Sequence, residues 1–330
     1  MIKEHELKGK NILVTGGAGF IGSALVRKLE VLKNNVTVLD NLTAGRKEHL
    51  NDCKAQLVVG DIRNKELLKE IFRRDNPEYV FHLAAEPYIP KGFQHPEIMF
   101  DVNTMGTMIV LKECHIAKVK RMMYYSTSEV YGTARTLPMG ENHPTTPHSI
   151  YALAKFAGDR ACFLFWKERK MPVIILRQFN CFGPREAQPY IIPELIRQFH
   201  HGSKLHLGNL EAKRDFTWVY DACDAHIKLM EVAGTDGQVI NFGRGKNWSV
   251  REITEKIGKV MGVDKYTITQ EKARLRPYDV DELLCDNNLF ESMVGKMTYT
   301  EFEEGLKRLV EWYKNHEYKW SWERGKRNGT

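Results

Sequence analysis

The first half of the chain alternates short runs of apolar, often β-branched residues with longer amphipathic stretches. The apolar runs lie at 11–16, 35–40, 55–61, 78–85, 121–128 and 171–180, and helical patterns lie at 20–33, 97–117 and 149–170. Strands that alternate with helices predict βαβ units and a parallel sheet. Both faces of such a sheet are covered, which explains why the strand runs are almost uninterrupted. The pattern therefore predicts an α/β fold built on a doubly wound parallel sheet.

The pattern becomes less regular after residue 180, where three prolines punctuate a loop before the next helix. Later segments indicate a short extended run plus helix at 214–230, a strand at 238–243, and helices at 248–262 and 299–316. Ser249 and Glu252 stand three residues apart, as in a capping box. We expect residues 1–180, joined by parts of 214–243, to form the first domain. Residues 181–330 would form most of a smaller, interleaved C-terminal α/β lobe that binds substrate.

Composition narrows the class of protein. A chain of 330 residues with 42% hydrophobic residues can form one large or two interleaved domains with a substantial core. The six cysteines lack metal-site spacing, which favours a reducing compartment and argues against a structural metal. The N-terminus is charged, unlike a signal peptide, and no apolar run reaches about 18 residues. We therefore expect a cytoplasmic protein that has no contact with membranes.

The charge pattern bears on the choice of partner. The net charge is +7, but apart from the C-terminal tail the positive residues are spread along the chain. A nucleic-acid groove needs a basic stripe interleaved with aromatic residues, which this sequence lacks. The composition thus argues against nucleic acid as a partner and remains compatible with an anionic small molecule.

A glycine-rich turn, TGGAGFIG at 15–22, follows the first predicted strand and opens the first helix. Gly17, Gly19 and Gly22 satisfy GxGxxG, and Gly16 extends the pattern to GxxGxxG. Such glycines let the backbone approach a pyrophosphate, which the N-terminus of the helix then binds. Asp40 ends the next strand, where a carboxylate accepts hydrogen bonds from ribose hydroxyls and repels a 2′-phosphate. The motif predicts a Rossmann-type site that favours NAD. NADP remains an alternative, because the nearby Arg46 can screen a 2′-phosphate.

Three further groups are candidates for chemistry or binding. Tyr151 and Lys155 stand four residues apart on one predicted helix face, where the ammonium can stabilise a phenolate that acts as a base. The cluster at 126–129, Ser-Thr-Ser-Glu, follows the fifth strand, at the edge where open α/β sheets bind ligands. Glu129 adds a second acid/base group, or it is only a solvated turn residue. Asp61, after the third strand, either reaches the adenine or caps a helix.

Taken together, TGGAGFIG, Asp40, HLAA at 82–85, Asn103, STSEVYG, YxxxK and RQFNCFGPRE resemble the extended short-chain dehydrogenase/reductase superfamily. Within it the chain is similar to NAD-dependent nucleotide-sugar 4,6-dehydratases, from about residue 10 to residue 315. Epimerases of the superfamily usually carry a small residue where Glu129 stands, whereas its nucleotide-sugar decarboxylases share the Ser-Thr-Ser-Glu cluster. The segment at 86–93 lacks the Ser-His-Val of many dehydratases, so the loop that faces the sugar differs.

The resemblance implies a set of site residues. Those expected to bind NAD are Gly16, Gly19, Phe20, Ile21, Gly22, Asp40, Asn41, Asp61, Ile62, Leu83, Ala84, Ala85, Asn103, Tyr151 and Lys155. Those expected to bind the nucleotide-sugar are Glu86, Thr127, Asn180, Arg185, Arg214 and Arg276. Arg214 and Arg276 would each bond the pyrophosphate through a planar guanidinium. Alternatively, each would form a surface ion pair, Arg214 with Asp215 or Glu211 and Arg276 with Asp279. No metal ligands are expected.

The resemblance also implies a reaction. Tyr151 would take the O4 proton of the sugar while C4 gives a hydride to NAD, and Thr127 would hydrogen-bond O4. Lys155 would lower the tyrosine pKa, and Glu129 would take the C5 proton before water leaves C6. Ser128 stands where many relatives have an acid, so Glu129 acts as both base and acid or Ser128 relays a proton through water. The alternatives are a UDP-sugar 4-epimerase, a UDP-glucuronate decarboxylase and a 5,6-dehydratase.

A homodimer is the expected assembly, because relatives commonly pair through two helices per subunit. Here these would be 97–117 and 149–170, with Phe163, Phe165 and Trp166 as an apolar face. Alternatively, these aromatic side chains only pack on the sheet.

Overall fold

The computed structural model describes residues 6–186, 188–275, 280–320 and 322. Its strands are β1 (Asn11–Thr15), β2 (Asn35–Asp40), β3 (Gln56–Val59), β4 (Tyr79–His82), β5 (Arg121–Thr127), β6 (Val173–Gln178), β7 (Asn180–Phe182), β8 (Lys204–Leu207), β9 (Lys213–Trp218), β10 (Val239–Phe242), β11 (Asn247–Ser249) and β12 (Thr267–Gln270). Its α-helices are α1 (Phe20–Val31), α2 (Lys65–Asp75), α3 (Lys91–Gln94), α4 (Pro96–Phe100), α5 (Thr107–Ala117), α6 (Ile150–Arg169), α7 (Ile191–His201), α8 (Val219–Glu231), α9 (Val250–Met261), α10 (Asn288–Val294) and α11 (Phe302–Asn315). Single turns of 3₁₀-helix lie at Lys47–Leu50, Ser128–Tyr131 and Lys272–Arg274.

Seven parallel strands form the central sheet, in the order β10-β6-β5-β4-β1-β2-β3. The prediction of a doubly wound α/β fold is confirmed, and the strand predicted at 238–243 joins this sheet beside β6. Apolar side chains pack on both of its faces, which is the reason for the long buried runs in the sequence. The strand order reverses between β1 and β4, where the carboxyl ends of neighbouring strands leave a crevice for a ligand.

A smaller set of elements packs beside this sheet. β11, β9 and β7 form a three-stranded sheet, and β12 pairs with β8. A separate apolar cluster, built from the helices α7, α9 and α11 and these strands, fills the space between them. The capping box predicted at the start of α9 is present, since Ser249 and Glu252 bond each other's backbone N–H groups. Strands β8, β11 and β12 and helix α2 were not predicted individually.

The helix predicted at 97–117 is interrupted. Helix α4 passes into a π-helical turn at Asp101–Gly106 before α5 begins. A π-turn widens the helix by one residue and is frequent at functional sites. Here it carries Asn103, one of the residues expected at the cofactor site, and buries it completely.

The described residues provide neither a membrane-spanning helix nor a metal site. Within them, no helix combines the length and apolar character needed to span a bilayer. The same residues contain no cluster of His, Cys, Asp or Glu that could hold a metal ion, and all six cysteines are free thiols.

Candidate active site

The glycine-rich turn between β1 and α1 is closed by backbone contacts. Gly16 has a φ of +73°, and a methyl group placed on it would lie 2.7 Å from the backbone nitrogen of Ala84. A methyl group on Gly22 would overlap the carbonyl oxygen of Gly16. Helix α1 then begins after Gly19, whose position provides no side-chain cap for the first N–H groups. The turn is therefore a cradle lined by backbone, and the uncapped N-terminus of α1 offers N–H groups that suit a pyrophosphate, as NAD requires.

Asp40 sits at the carboxyl end of β2, beside this cradle. Its Oδ2 accepts the N–H of Ala18 at 3.0 Å, and its Oδ1 accepts the N–H of Leu42 at 2.8 Å. Burial raises the pKa of the carboxyl group, while these two backbone bonds oppose the rise. A methyl group on Gly45 would lie 2.7 Å from both carboxylate oxygens, so the loop after β2 closes tightly over the acid. A carboxylate fixed in this way suits ribose hydroxyls and disfavours a 2′-phosphate.

Asp61 follows β3 and is held by its neighbours. Its carboxylate binds the guanidinium of Arg63 at 2.8 Å and accepts the side-chain N–H of Asn41 at 3.1 Å. Hydrogen bonds from Arg63 lower the pKa of Asp61 to about 2. The alternative role considered for it, a helix cap, belongs instead to Asn64, whose side chain accepts the N–H of Leu67. Contact of Asp61 and the buried Ile62 with adenine stays a prediction.

Asn103 clamps the chain just beyond β4. Its Oδ1 accepts the N–H of Glu86 at 2.8 Å, and its Nδ2 donates to the carbonyl of Glu86 at 3.1 Å. The clamp fixes the segment Leu83–Ala85, which lies against the glycine turn. The Glu86 carboxylate itself pairs with Lys91 at 2.5 Å, at the start of the loop that was expected to face the sugar.

A buried histidine connects this clamp to the glycine turn. His82 contacts Thr15 Oγ1 at 2.6 Å through Nδ1 and Thr107 Oγ1 at 3.0 Å through Nε2, and Thr107 donates to the carbonyl of Asn103. Burial lowers the pKa of His82 to about 3, so the imidazole is neutral at physiological pH. The ends of β1 and β4 and the π-turn are thereby joined through neutral hydrogen bonds.

Tyr151, Thr127 and Glu129 meet in one site. Tyr151 lies in the first turn of α6, which begins after the N-cap Ser149, and Thr127 ends β5. Burial and the negative charge of Glu129 raise the pKa of Tyr151, whereas a hydrogen bond with Thr127 lowers it. The Thr127 hydroxyl also accepts the N–H of Glu129 at 3.2 Å. A phenol, a hydroxyl and a carboxylate thus lie within interaction range of one another.

Lys155 lies one turn after Tyr151 and is only 3% exposed. Burial lowers its pKa to about 8, an effect that the negative charge of Asp159 opposes. The sequence led us to expect that Lys155 lowers the pKa of Tyr151. In the protein alone, burial and the negative charge of Glu129 instead raise the pKa of Tyr151, so the phenol is protonated at neutral pH.

The two serines of the cluster are more buried than Glu129. Ser128 is 2% exposed, within the 3₁₀ turn, whereas Glu129 is half-buried. Ser126 is also buried, and it lies beside Asp159. Of the four consecutive polar residues, only Thr127 and Glu129 shift the pKa of Tyr151.

The residues expected to bind the nucleotide-sugar lie mainly in the smaller lobe. Asn180 begins β7, and its buried Oδ1 has no hydrogen-bond partner among the described residues, as expected of an acceptor kept for a ligand. Arg185 instead donates to Ser23 Oγ at 3.0 Å and to Tyr220 Oη at 2.7 Å, so its guanidinium ties the loop after β7 to α1 and α8.

The structure describes one of the two arginines that were predicted to bind the pyrophosphate. Arg214 lies on β9 and donates to the carbonyl of Lys213, and the carboxylates first considered as its surface partners are bonded elsewhere. Asp215 accepts three backbone N–H groups, and Glu211 pairs with Arg251. Arg276 lies outside the described residues. The binding roles of both arginines stay predictions.

Sequence reasoning missed two buried side chains next to Lys155. Tyr124, on β5, places its ring under the lysine ammonium. Asp159, one turn after Lys155, pairs with Arg177 at 2.9 Å in the interior. A sequence signal existed only for Asp159, which continues the i, i+4 spacing of Tyr151 and Lys155. Tyr124 could not be distinguished from the other apolar residues of its strand.

Known proteins match the chain over most of its length. The sequence model of the family described as GDP-mannose 4,6 dehydratase matches residues 13–309. The dTDP-D-glucose 4,6-dehydratase of Bos taurus is 27% identical over 328 residues, which cover 94% of this chain and 90% of that relative.

Two solved structures share the whole fold. The UDP-glucose 4-epimerase of Thermotoga maritima, with UDP-glucose, gives a TM-score of 0.86 at 31% identity and covers 93% of this chain and 99% of its own. The dTDP-glucose 4,6-dehydratase of Streptomyces venezuelae, with NAD bound, gives a TM-score of 0.87 at 28% identity and covers 94% and 98%.

The fold and the site define the class of protein, an NAD-binding enzyme of the extended short-chain dehydrogenase/reductase superfamily. The glycine cradle and Asp40 fit the cofactor, and the solved relative with NAD bound confirms that prediction. More narrowly, the chain belongs to the GDP-mannose 4,6-dehydratase family, whose relatives include both dehydratases and epimerases of nucleotide-sugars.

Proposed function

We propose that this enzyme is an NAD-dependent nucleotide-sugar 4,6-dehydratase, which converts a UDP- or GDP-linked glucose or N-acetylglucosamine to the 4-keto-6-deoxy sugar. The observation that carries the proposal is the carboxylate of Glu129 within electrostatic reach of Tyr151. A tyrosine and a lysine are sufficient for oxidation at C4, but elimination of water also needs an acid/base group for the C5 proton.

Each side chain has its own role in the proposed reaction. Tyr151 takes the proton from O4, and Thr127, already bonded to Tyr151, orients O4. Bound NAD supplies a hydride acceptor for C4 and a hydride donor for C6. Lys155 holds positive charge beside the forming phenolate. Glu129 removes the C5 proton, which the 4-keto group has made acidic.

Glu129 then also passes this proton to the leaving hydroxyl. As the hydride enters C6, C5 takes up one proton, which balances the proton that Tyr151 removed from O4. The sequence left open which group protonates the leaving hydroxyl, because Ser128 stands where many relatives have an acid. The 2% exposure of Ser128 supports a single carboxylate in both roles, since a hydroxyl buried in the turn has little access to a water relay.

An epimerase is the second candidate, and the similarity to the Thermotoga maritima UDP-glucose 4-epimerase favours it. An epimerase needs the Tyr151–Lys155 pair and a 4-keto sugar that rotates freely in the site, but it does not need Glu129. A UDP-glucuronate decarboxylase or a 5,6-dehydratase would use the same first oxidation. The epimerase leaves the mass of the sugar unchanged and the decarboxylase removes carbon dioxide, whereas the 5,6-dehydratase also removes water and gives an exocyclic alkene that is an isomer of the 4-keto-6-deoxy product.

The variant Glu129→Gln tests the proposal. We expect it to bind NAD and oxidise C4 as the wild type does, while release of water falls by about 10²–10⁴-fold because the base is lost. Product mass and the ultraviolet absorbance of the reduced nicotinamide separate the two steps. Ser128→Ala serves as the control and should retain water release. Normal water release by Glu129→Gln would overturn the assignment.

We also propose a homodimer formed through α5 and α6, in the cytoplasm, where free cysteines persist. The aromatic residues first considered for this face are not available, because Phe165 is buried and Phe163 and Trp166 pack against the core. Exposed apolar residues line the two helices and the turn before α5, namely Met105, Met108, Ile116, Leu153 and Leu164. Leu164→Glu should shift the protein to monomers in sedimentation analysis, whereas Val31→Glu, on the exposed end of α1, should not.

A further inference from the structure

Lys155 is a buried cation that has no conventional partner. Only 3% of the residue is exposed, and its Nζ makes no hydrogen bond or ion pair with any residue that the structure describes. An unpaired ammonium in the interior is strongly disfavoured unless another group replaces its solvation. The proposed chemistry nevertheless needs this group to be charged and correctly placed.

The aromatic ring of Tyr124 lies against this ammonium. Nζ of Lys155 lies 4.3 Å from the ring centroid, well within the range of a cation–π contact. Such contacts are strongest where water is excluded, and Tyr124 is 0% exposed. The face of the ring therefore solvates the ammonium from the side of the sheet.

The ring is itself held by α6. The Tyr124 hydroxyl donates to the carbonyl of Lys155 at 3.0 Å, so the same residue is contacted at its backbone and at its ammonium. A methyl group on Gly158 would overlap that hydroxyl and lie 2.7 Å from Cζ of Tyr124. Burial raises the pKa of the phenol, which keeps it protonated as a hydrogen-bond donor.

We propose that Tyr124 is a positioning residue for catalysis, whose ring stabilises the charged form of Lys155 and directs the ammonium toward the cofactor crevice. This inference deepens the proposed function. It applies equally to a dehydratase and to an epimerase, because both begin with oxidation at C4.

Other titratable groups surround Lys155 and must stay constant in the test. On α6 these are Tyr151, Asp159 and Cys162, on β4 the neutral His82, and on β6 Arg177, which pairs with Asp159. His82 also contacts the Tyr124 ring but is neutral, and Tyr124→Phe keeps that contact, so a change confined to the ring-less variants reports the loss of the ring.

Tyr124→Phe keeps the ring and removes the hydroxyl, whereas Tyr124→Leu and the longer Tyr124→Met remove the ring. Tyr125→Leu is the matched control, since Tyr125 is a buried tyrosine on the same strand that packs on the opposite face, against His226. The readout is the pKa of Lys155, measured by NMR in the protein as purified, with isotope-labelled lysine and with the signal assigned through Lys155→Arg.

We expect Tyr124→Leu and Tyr124→Met to lower the pKa of Lys155 by about one pH unit, and Tyr124→Phe and Tyr125→Leu to leave it unchanged. With a substrate, the alkaline limb of kcat should move to lower pH by the same amount while KM is constant. A wild-type titration in both ring-less variants, or an equal shift in Tyr125→Leu, would overturn the inference. Failure of every nucleotide-sugar to react would count against the proposed function alone, because the NMR titration needs no substrate.

Discussion

Asp40 gives the sharpest prediction about the cofactor. In Asp40→Asn one acceptor oxygen becomes an NH₂ group, so either the N–H of Ala18 or that of Leu42 faces another donor. A hydrogen bond to a charged group contributes about 1.5–3 kcal/mol, and the same oxygen is lost to the ribose of NAD. At 1.4 kcal/mol for each factor of ten, we expect NAD to bind roughly 10- to 100-fold more weakly.

The assay is calorimetric titration of cofactor-free protein with NAD and with NADP at neutral pH. The loss of negative charge should also narrow the preference for NAD over NADP, because a 2′-phosphate is no longer repelled. Asp52→Asn is the control, because Asp52 is an exposed carboxylate that pairs with Arg27 and does not bind the backbone N–H groups that Asp40 binds. Equal affinity of Asp40→Asn and wild type for NAD would refute the assigned role of the carboxylate.

Three further predictions concern stability and the first chemical step. Burial raises the pKa of Glu186 in the folded protein above its value in the unfolded chain. The folded protein therefore has its full stability at pH values below the unfolded pKa, and it loses stability as pH rises toward the folded pKa. Glu186→Gln should therefore melt about 2 °C higher than wild type at pH 8, and this gain should vanish near pH 4, as calorimetry can show. Asp159→Leu should lose about 3–5 kcal/mol in chemical denaturation because it leaves Arg177 buried and unpaired, and the double variant with Arg177→Leu should regain most of it. Tyr151→Phe should form no reduced nicotinamide with substrate, and a wild-type rate of formation would contradict its role as the base.

The fold was largely predictable from hydrophobic periodicity. Buried parallel strands give continuous apolar runs, and the glycine turn after β1 has a spacing that few other structures require. The strand at 238–243 was recognised for the same reason, although nothing in the sequence fixes its place beside β6. Strands β8 and β12 were not recognised, because four-residue strands at the edge of a small lobe alternate too briefly to stand out.

The site was predictable in its residue types but not in its energetics. The i, i+4 spacing correctly suggested that Tyr151 and Lys155 share a helix face, and strand order explains why Thr127 lies near them. The π-turn around Asn103 carries no signal in the sequence, because it depends on tertiary packing of the helix. The raised pKa of Tyr151 depends on burial and on the approach of Glu129, neither of which a linear sequence shows.

The central claim is that this enzyme eliminates water after oxidation at C4, and transfer of an isotope tests it most directly. A nucleotide-sugar that carries deuterium at C4 is incubated with the wild-type enzyme, and the product is examined by mass spectrometry and NMR. We predict a product that has lost one water and carries the deuterium at C6. Deuterium back at C4 in a product of unchanged mass would contradict the account and identify an epimerase.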